Sequence, residues 1–172
     1  LDRDGVINFD SHNFIKSPQE WRAIPGSIEA ISRLTKHGYQ IAIATNQSGI
    51  ERGLLELETL HEIHTVLLES VRSKGGTIHL IAYCPHHPDS NCSCRKPKTG
   101  MILDAKKKWN IDVKNSFLIG DREKDIIAGK NAGCINYFID YNYSEKKPKK
   151  SICKYVDSFS QAIKHIKQTN YE

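Results

Sequence analysis

Two aspartates stand one residue apart near the start of the chain, Asp2 and Asp4 in "LDRDGVIN". Such a pair can act on a phosphate ester. One carboxylate attacks phosphorus; the second protonates the departing alcohol and then takes a proton from the attacking water. A dianionic phosphate repels a carboxylate, so this chemistry needs a divalent cation held by hard oxygen ligands. Asp121 in "GDREKD" completes such a Mg²⁺ set with the Asp2 carboxylate and a backbone carbonyl at Asp4, and Asp125, one helical turn on, orients it from behind. Thr45 and Asn46 can donate hydrogen bonds to the transferring phosphoryl oxygens, and Lys96 can neutralise them. The plainer alternative is that Asp-Arg-Asp-Gly merely leaves a strand through a turn, where both residue types are common.

A second cluster lies in "CPHHPDSNCSC". The chain has five cysteines, and three fall within this short stretch, which points to metal binding in a reducing compartment rather than to a disulfide framework. Cys84, Cys92 and Cys94 supply three thiolates, and His86 or His87 supplies an imidazole. A closed set of that kind suits structural Zn²⁺. Arg95 and Lys96 follow the last thiolate directly, so a metal there would fix the segment that presents two cations. Other candidates carry less. His61 and His64 fall in a helical pattern without acidic or thiol neighbours and read as exposed, Cys134 as core, Cys153 as partnerless by spacing, and Trp21 and Trp109 as packing residues.

These residues need a frame that gathers distant positions. "YQIAIATN" (39–46), "TIHLIAYC" (77–84), "SFLIGD" (116–121) and "CINYFID" (134–140) are short β-branched or aromatic runs that read as buried strands. Ile28, Ile31 and Leu34 give helical spacing ending at Gly38, and Leu60, Ile63, Leu67 and Val71 do the same before Gly75. Further helices are expected over 101–109, over 124–132 with a stop at Gly133, and after the capping pair Ser158 and Gln161. This alternation predicts an α/β fold: a Rossmann-like parallel sheet with helices on both faces. Ligands in such sheets sit outside the carboxyl ends of the strands, and every polar cluster named above falls on that edge.

Length and composition agree. At 172 residues the chain reads as one domain spanning 1–172, with the cysteine loop at about 84–94. The apolar fraction of 38% and the absence of a long apolar run exclude a membrane span, and the formal charge of +5 is too modest to imply nucleic acid. "EKKPKK" (145–150) reads as a solvated loop. The chain begins at Leu1 without a basic leader or apolar run, so no signal peptide is expected. A buried strand leading into Asp2 is expected to start upstream.

"DRDG", "TNQSG", "RKPK" and "GDREKD", in that order, resemble the four motifs of the haloacid dehalogenase superfamily of phosphatases. The resemblance implies that Asp2 becomes a phospho-aspartate and that Asp4 is the acid/base, with Thr45 and Lys96 assisting. It also implies Mg²⁺ on Asp2, Asp4 and Asp121. The cysteine loop resembles that of two phosphatase families, acting on heptose 1,7-bisphosphate and on histidinol phosphate. "TNQSGIERG", with Ser48, and "CRKPKTGMILDA", with Gly100 and Met101, are more similar to the heptose family. That likeness implies Zn²⁺ on Cys84, His86, Cys92 and Cys94. It implies substrate contacts from Arg3, Asp10, Ser11, His12, Asn13, Asn46, Gln47, Ser48, Arg95 and Arg122, with Arg95 clamping the phosphate that stays.

The same likeness implies hydrolysis of the C7 phosphate in a cytoplasmic route to activated heptose and lipopolysaccharide, by a monomer with a small phosphorylated sugar as substrate. Some relatives carry Lys where Arg122 stands and Gly-Tyr where Asn13 and Phe14 stand, and the zinc loop is shorter than in some. About forty residues separate Asp4 from Thr45, too few for an inserted cap. Closure is therefore expected from loops, chiefly Phe9–Trp21 and the zinc loop. The rival readings are a histidinol-phosphate phosphatase, a nucleic-acid 3′-phosphatase, a phosphorylated receiver domain and a non-catalytic zinc-stabilised binding module.

Overall fold

The computed structural model describes residues 1–169. Its elements run α1 (Ser27–Lys36), β1 (Ala42–Asn46), α2 (Leu57–Ser73), β2 (Leu80–Cys84), α3 (Gly100–Trp109), β3 (Phe117–Gly120), α4 (Glu123–Ala132), β4 (Ile135–Ile139), β5 (Lys154–Val156) and α5 (Phe159–Thr169). Residues 170–172 of the expected domain span lie outside the described residues.

All strand pairs are parallel: β1 with β2, and β4 between β3 and β5. Leu1 and Asp2 join the two sets. Leu1 N donates to Ala42 O at 2.7 Å, Ala44 N donates to Leu1 O at 2.9 Å, and Asp2 N donates to Ile119 O at 3.0 Å. From this central stretch the chain winds one way into β1 and β2 and the other way into β3, β4 and β5. Asp2 therefore stands at the switch point, where parallel sheets open a crevice.

Side chains alternate across the sheet as its period of two demands. Ile43, Ile119, Tyr137 and Ile139 share one core with α1, α2 and α5, where Ile31, Leu60, Leu67, Ile163 and Ile166 are buried. Leu118 and Phe138 face the other way and pack with Ile126 of α4 and Ile102 of α3. Each fully buried Leu or Ile contributes about 1.5–3 kcal/mol, so these two layers, rather than any single bond, hold the crevice in shape.

Two expectations are corrected. Residues 77–84 were expected as a buried strand, but β2 is half-buried and only Cys84 is fully covered, because β2 pairs on one side alone. β5 was not anticipated, since Lys154–Val156 is too short to show a period. The cap of α5 also differs in detail. Ser158 Oγ accepts from Gln161 N at 3.2 Å, while Gln161 Oε1 accepts from Asp157 N, one residue earlier than a reciprocal box requires.

The loop from Phe9 to Trp21 leaves and returns through a narrow neck, with Phe9 N bonded to Arg22 O and Ile24 N to Ile7 O, both at 2.9 Å. Among the described residues no domain is inserted between Asp4 and Thr45 or between Asn46 and Arg95, and no helix is long and apolar enough to cross a membrane.

Candidate active site

Asp2, Asp121 and Asp125 bring carboxylate oxygens within 4.8 Å of one another at the carboxyl edge of the sheet. Asp2 leaves the central stretch, Asp121 follows β3, and Asp125 lies in the first turn of α4. Lys96 Nζ holds two of them, at 2.8 Å from Asp2 Oδ1 and 2.7 Å from Asp125 Oδ1. Asp125 Oδ2 also accepts from Arg122 N at 3.0 Å, which ties it to the helix start. Asp125, fully buried and not in the cleft wall, thus holds Lys96 from behind while its carboxylate stays close to those of Asp2 and Asp121.

Asp121 is the unsatisfied member. Its side chain is fully buried and neither oxygen has a hydrogen-bond partner, with only Arg122 Nε nearby at 3.4 Å. Gly5, at φ +80°, lies so close that a Cβ there would sit 2.1 Å from Asp121 Oδ2, so only glycine leaves room for this carboxylate. Burial, with the charge of Asp125, pushes Asp2 up to about 6; burial, with Asp2 and Asp125, pushes Asp121 up to about 8. Crowded, partly orphaned carboxylates of this kind fit a hard divalent cation, which would offset their repulsion.

Asp4 is held differently. Arg3 Nε and Nη2 grip it at 3.0 and 2.9 Å, and Asn8 Nδ2 and Gln47 Nε2 each donate at 2.8 Å. Burial alone would raise its pKa; the Arg3 charge and the bonds from Asn8 and Gln47 hold it below the ordinary carboxylate value. Arg3 itself is 1% exposed, with Nη1 3.3 Å from His64 Nε2. Both were expected elsewhere. Arg3 lies beneath Asp4 and not in the cleft, and His64 is buried in α2, where burial and the Arg3 charge push its imidazole down to about 3.

Thr45 is buried with its Oγ1 accepting from Gln47 Nε2 at 2.8 Å. Asn46 exchanges hydrogen bonds with the backbone of Lys96, both at 3.1 Å, which docks the "RKPK" segment on the end of β1. A cleft of about 380 Å³ opens here. Every residue named from the sequence as catalytic, Mg²⁺-ligating or substrate-binding lines it, except Arg3 and Asn13. Phe14, Ile15, Lys124 and Glu145 line it too, though none was among the expected site residues. A second cavity, of about 400 Å³, lies at the other end of β1 and β3 among apolar side chains such as Leu34, Ile41 and Phe117. It holds none of these reactive groups.

Residues 145–150 form a solvated loop, buried only at Pro148, and its first residue, Glu145, still reaches the cleft. Its carboxylate takes Arg122 Nη1 at 2.5 Å, Asp10 takes Nη2 at 2.8 Å, and the Tyr143 ring lies 4.1 Å from the guanidinium. Arg122 therefore straps the loop holding Asp10 to the loop after β4, across the mouth of the cleft.

The cysteine loop closes on itself. Cys84 Sγ stands 3.2 Å from Cys94 Sγ and 3.7 Å from Cys92 Sγ, and His86 Nδ1 lies 3.2 Å from Cys94 Sγ and 3.5 Å from Cys84 Sγ. A tetrahedral zinc site with Zn–S of ~2.3 Å has edges of about 3.5–3.8 Å, so the donor set fits that ion. All the cysteines are free thiols. His87 is not part of the cluster: it pairs with Asp89 at 3.2 Å and its backbone N–H donates to Glu51. Arg95 reaches back to His86 O at 3.2 Å, a direct link from this loop to the cleft.

Comparison with known proteins follows the same lines. Residues 1–167 match the family model described as polynucleotide kinase 3 phosphatase. The chain is 42% identical over 146 residues to D-glycero-β-D-manno-heptose-1,7-bisphosphate 7-phosphatase of Bordetella bronchiseptica, covering 85% of this chain and 82% of that protein. It is 48% identical over 134 residues to the protein of the same name in Pseudomonas aeruginosa, covering 78% and 75%. The crystal structure of D,D-heptose 1,7-bisphosphate phosphatase from B. bronchiseptica, complexed with magnesium and phosphate, matches with a TM-score of 0.89 at 35% identity, covering 98% and 96% of the two chains. With that identity spread over most of both chains, this protein belongs to the polynucleotide kinase 3 phosphatase family of haloacid dehalogenase-type phosphatases, beside the heptose bisphosphate 7-phosphatases.

Proposed function

We propose that this chain is a Mg²⁺-dependent phosphomonoesterase, a single domain acting as a cytoplasmic monomer. Its substrate is D-glycero-β-D-manno-heptose 1,7-bisphosphate, hydrolysed at C7 to leave the heptose 1-phosphate used for activated heptose and lipopolysaccharide. The observation that carries the reading is the convergence, in one cleft, of Asp2, Asp4, Asp121 and Lys96 with further cations beside them. The family model's name points to a nucleic acid, but the curated relatives at 42% and 48% identity carry the sugar bisphosphatase name.

Asp2 Oδ1 is occupied by Arg3 N and Lys96 Nζ, both at 2.8 Å, which leaves Oδ2 to attack phosphorus. Lys96 acts twice. Its ammonium, held protonated by Asp125 and Asp2 against the cost of burial, keeps Asp2 ionised and balances the phosphoryl oxygens. Asp4 is ionised in the free protein; a phosphate dianion beside it raises its pKa, so that it carries the proton given to the C7 oxygen. The bond from phosphorus to that oxygen breaks as the Asp2–phosphorus bond forms. Asp4 then takes the proton of the water that cleaves the phospho-aspartate. Mg²⁺ bound by Asp2, Asp121 and the Asp4 carbonyl would neutralise the phosphate and permit anionic attack. Zn²⁺ on Cys84, His86, Cys92 and Cys94 would hold the loop that presents Arg95.

Phosphate release compared across both anomers of heptose 1,7-bisphosphate, histidinol phosphate and a 3′-phosphorylated oligonucleotide tests the reading. The expected result is a kcat/KM for the β anomer at least about tenfold above the others, a difference of ~1.4 kcal/mol in transition-state binding. Preference for histidinol phosphate or the oligonucleotide would overturn the substrate and leave the aspartate chemistry standing.

A further inference from the structure

The donors that hold Asp4 come from two parts of the chain. Oδ1 accepts from Arg3 Nε at 3.0 Å, Arg3 Nη2 at 2.9 Å and Asn8 Nδ2 at 2.8 Å. Oδ2 accepts from Gln47 Nε2 at 2.8 Å and shares the same Arg3 Nη2 at 3.0 Å. Oδ1 is therefore crowded with donors, and Oδ2 is the oxygen with room for a proton. Arg3 and Asn8 belong to Asp4's own turn, in which Arg3 O accepts from Ile7 N and Asn8 N, so they move with it. Gln47 follows β1, and among the described residues it is the one donor to the Asp4 side chain from outside that turn.

Gln47 is itself firmly held. It is 4% exposed although it lines the cleft, and its backbone N–H donates to Cys84 O at 2.7 Å, which docks the turn after β1 on the end of β2. Glu51 pins the same turn to the cysteine loop. Its N–H donates to Pro85 O at 3.2 Å, and its carboxylate accepts from Ser90 Oγ at 2.7 Å and from the His87 N–H. Both hydrogens on Gln47 Nε2 are spent inside the protein, one on Asp4 Oδ2 and one on Thr45 Oγ1 at 2.8 Å. An ionised carboxylate only accepts, so the nitrogen of that amide, not its oxygen, must face Asp4. The side chain therefore keeps no N–H for a substrate.

We propose that Gln47 is a positioning residue for the acid/base, fixing Asp4 Oδ2 relative to phosphorus while its proton comes and goes. This role rests on the phosphomonoesterase reading and differs from the substrate contact expected for Gln47. In the first half of the reaction the Asp2–phosphorus bond forms, the bond from phosphorus to the C7 oxygen breaks, and the Asp4 proton moves to that oxygen. In the second, the water oxygen bonds to phosphorus, the Asp2–phosphorus bond breaks, and the water proton goes to Asp4. Both transfers need Oδ2 within hydrogen-bond reach of the reacting oxygen, and a displacement of ~1 Å can cost about 10²-fold. Arg3 and Asn8 shift with the turn, whereas Gln47 ties Asp4 to β1 and β2.

The test reads Gln47→Met and Gln47→Glu, which keep a side chain of similar length and remove its donor, against wild type on two kinds of ester. The alkoxide of heptose 1,7-bisphosphate needs the Asp4 proton to leave. Its kcat should fall about 10- to 100-fold, the range for losing a hydrogen bond to a charged group, with KM within about twofold. From p-nitrophenyl phosphate, or acetyl phosphate if the aryl ester is not turned over, the leaving group departs as a stable anion. By rapid quench its first turnover should stay within about threefold of wild type, while later turnovers, which need Asp4 as base, slow. Three outcomes would overturn the role: an equal fall in both first turnovers, a rise in KM with kcat unchanged, or a kcat on the bisphosphate within twofold of wild type in both variants. A wild type that releases no phosphate from the bisphosphate would instead remove the functional reading, and this role with it. Thermal unfolding of each variant separates these results from a folding defect, with Glu serving if Met fails to fold.

Discussion

Cys84, His86, Cys92 and Cys94 come from one short loop, whereas Asp2, Asp121 and Asp125 are gathered across most of the chain onto one sheet edge. The two clusters also differ in how complete they are. The thiolates and the imidazole already stand near the spacing of a closed tetrahedron, with no position left for a substrate. The carboxylates are crowded, burial pushes Asp2 and Asp121 toward their neutral forms, and both Asp121 oxygens are without hydrogen bonds. A cluster that is locally closed can support a loop. A cluster left open and electrostatically strained can bind and release a changing ligand.

The sharpest break of this contrast is Asp2→Asn. It should lower Mg²⁺-dependent phosphate release by roughly 10³-fold or more while the protein still unfolds cooperatively. Substantial residual turnover would contradict Asp2 as nucleophile. At the other cluster, Cys92→Ser should lose zinc, lower the urea midpoint, and reduce activity indirectly through the Arg95–His86 link, about tenfold in kcat/KM. Normal zinc content and kinetics in that variant would sink the idea that the loop holds Arg95.

The smallest effect concerns pH and sharpens the comparison, because only the carboxylate cluster should show it. Asp2 and Asp121 titrate at about 6 and about 8 in the folded state, above the ordinary 3.8, so the folded protein binds more protons than the unfolded chain between these values. Their contribution to stability is therefore present at low pH and is lost as pH rises through 6 and then 8. Mg²⁺ replaces those protons, so the rise in Tm on adding saturating Mg²⁺ should be larger at pH 8 than at pH 5.5. An equal rise at both values would show that these carboxylates do not hold the ion.

Some of what was misplaced had a signal in the chain. Along an extended stretch Arg3 must point opposite to Asp2 and Asp4, which share a side, and Arg3 is indeed buried beneath Asp4. His64 falls on the same helical stripe as Leu60, Leu67 and Val71, the stripe that packs on the sheet, and it is buried with them. Glu145 gave no such sign. Its neighbours are lysines, and only the path of the chain after β4 carries it back onto Arg122.

The sequence by itself determined the alternation of strands and helices, the sheet edge on which the reactive residues fall, and the clustering of three cysteines with a histidine in one loop. Those depend on short-range periodicity and on donors a few residues apart. Tertiary structure alone decided which cations are neutralised. Whether Lys96 or Arg122 faces a carboxylate depends on partners from distant elements, held at distances no local pattern encodes.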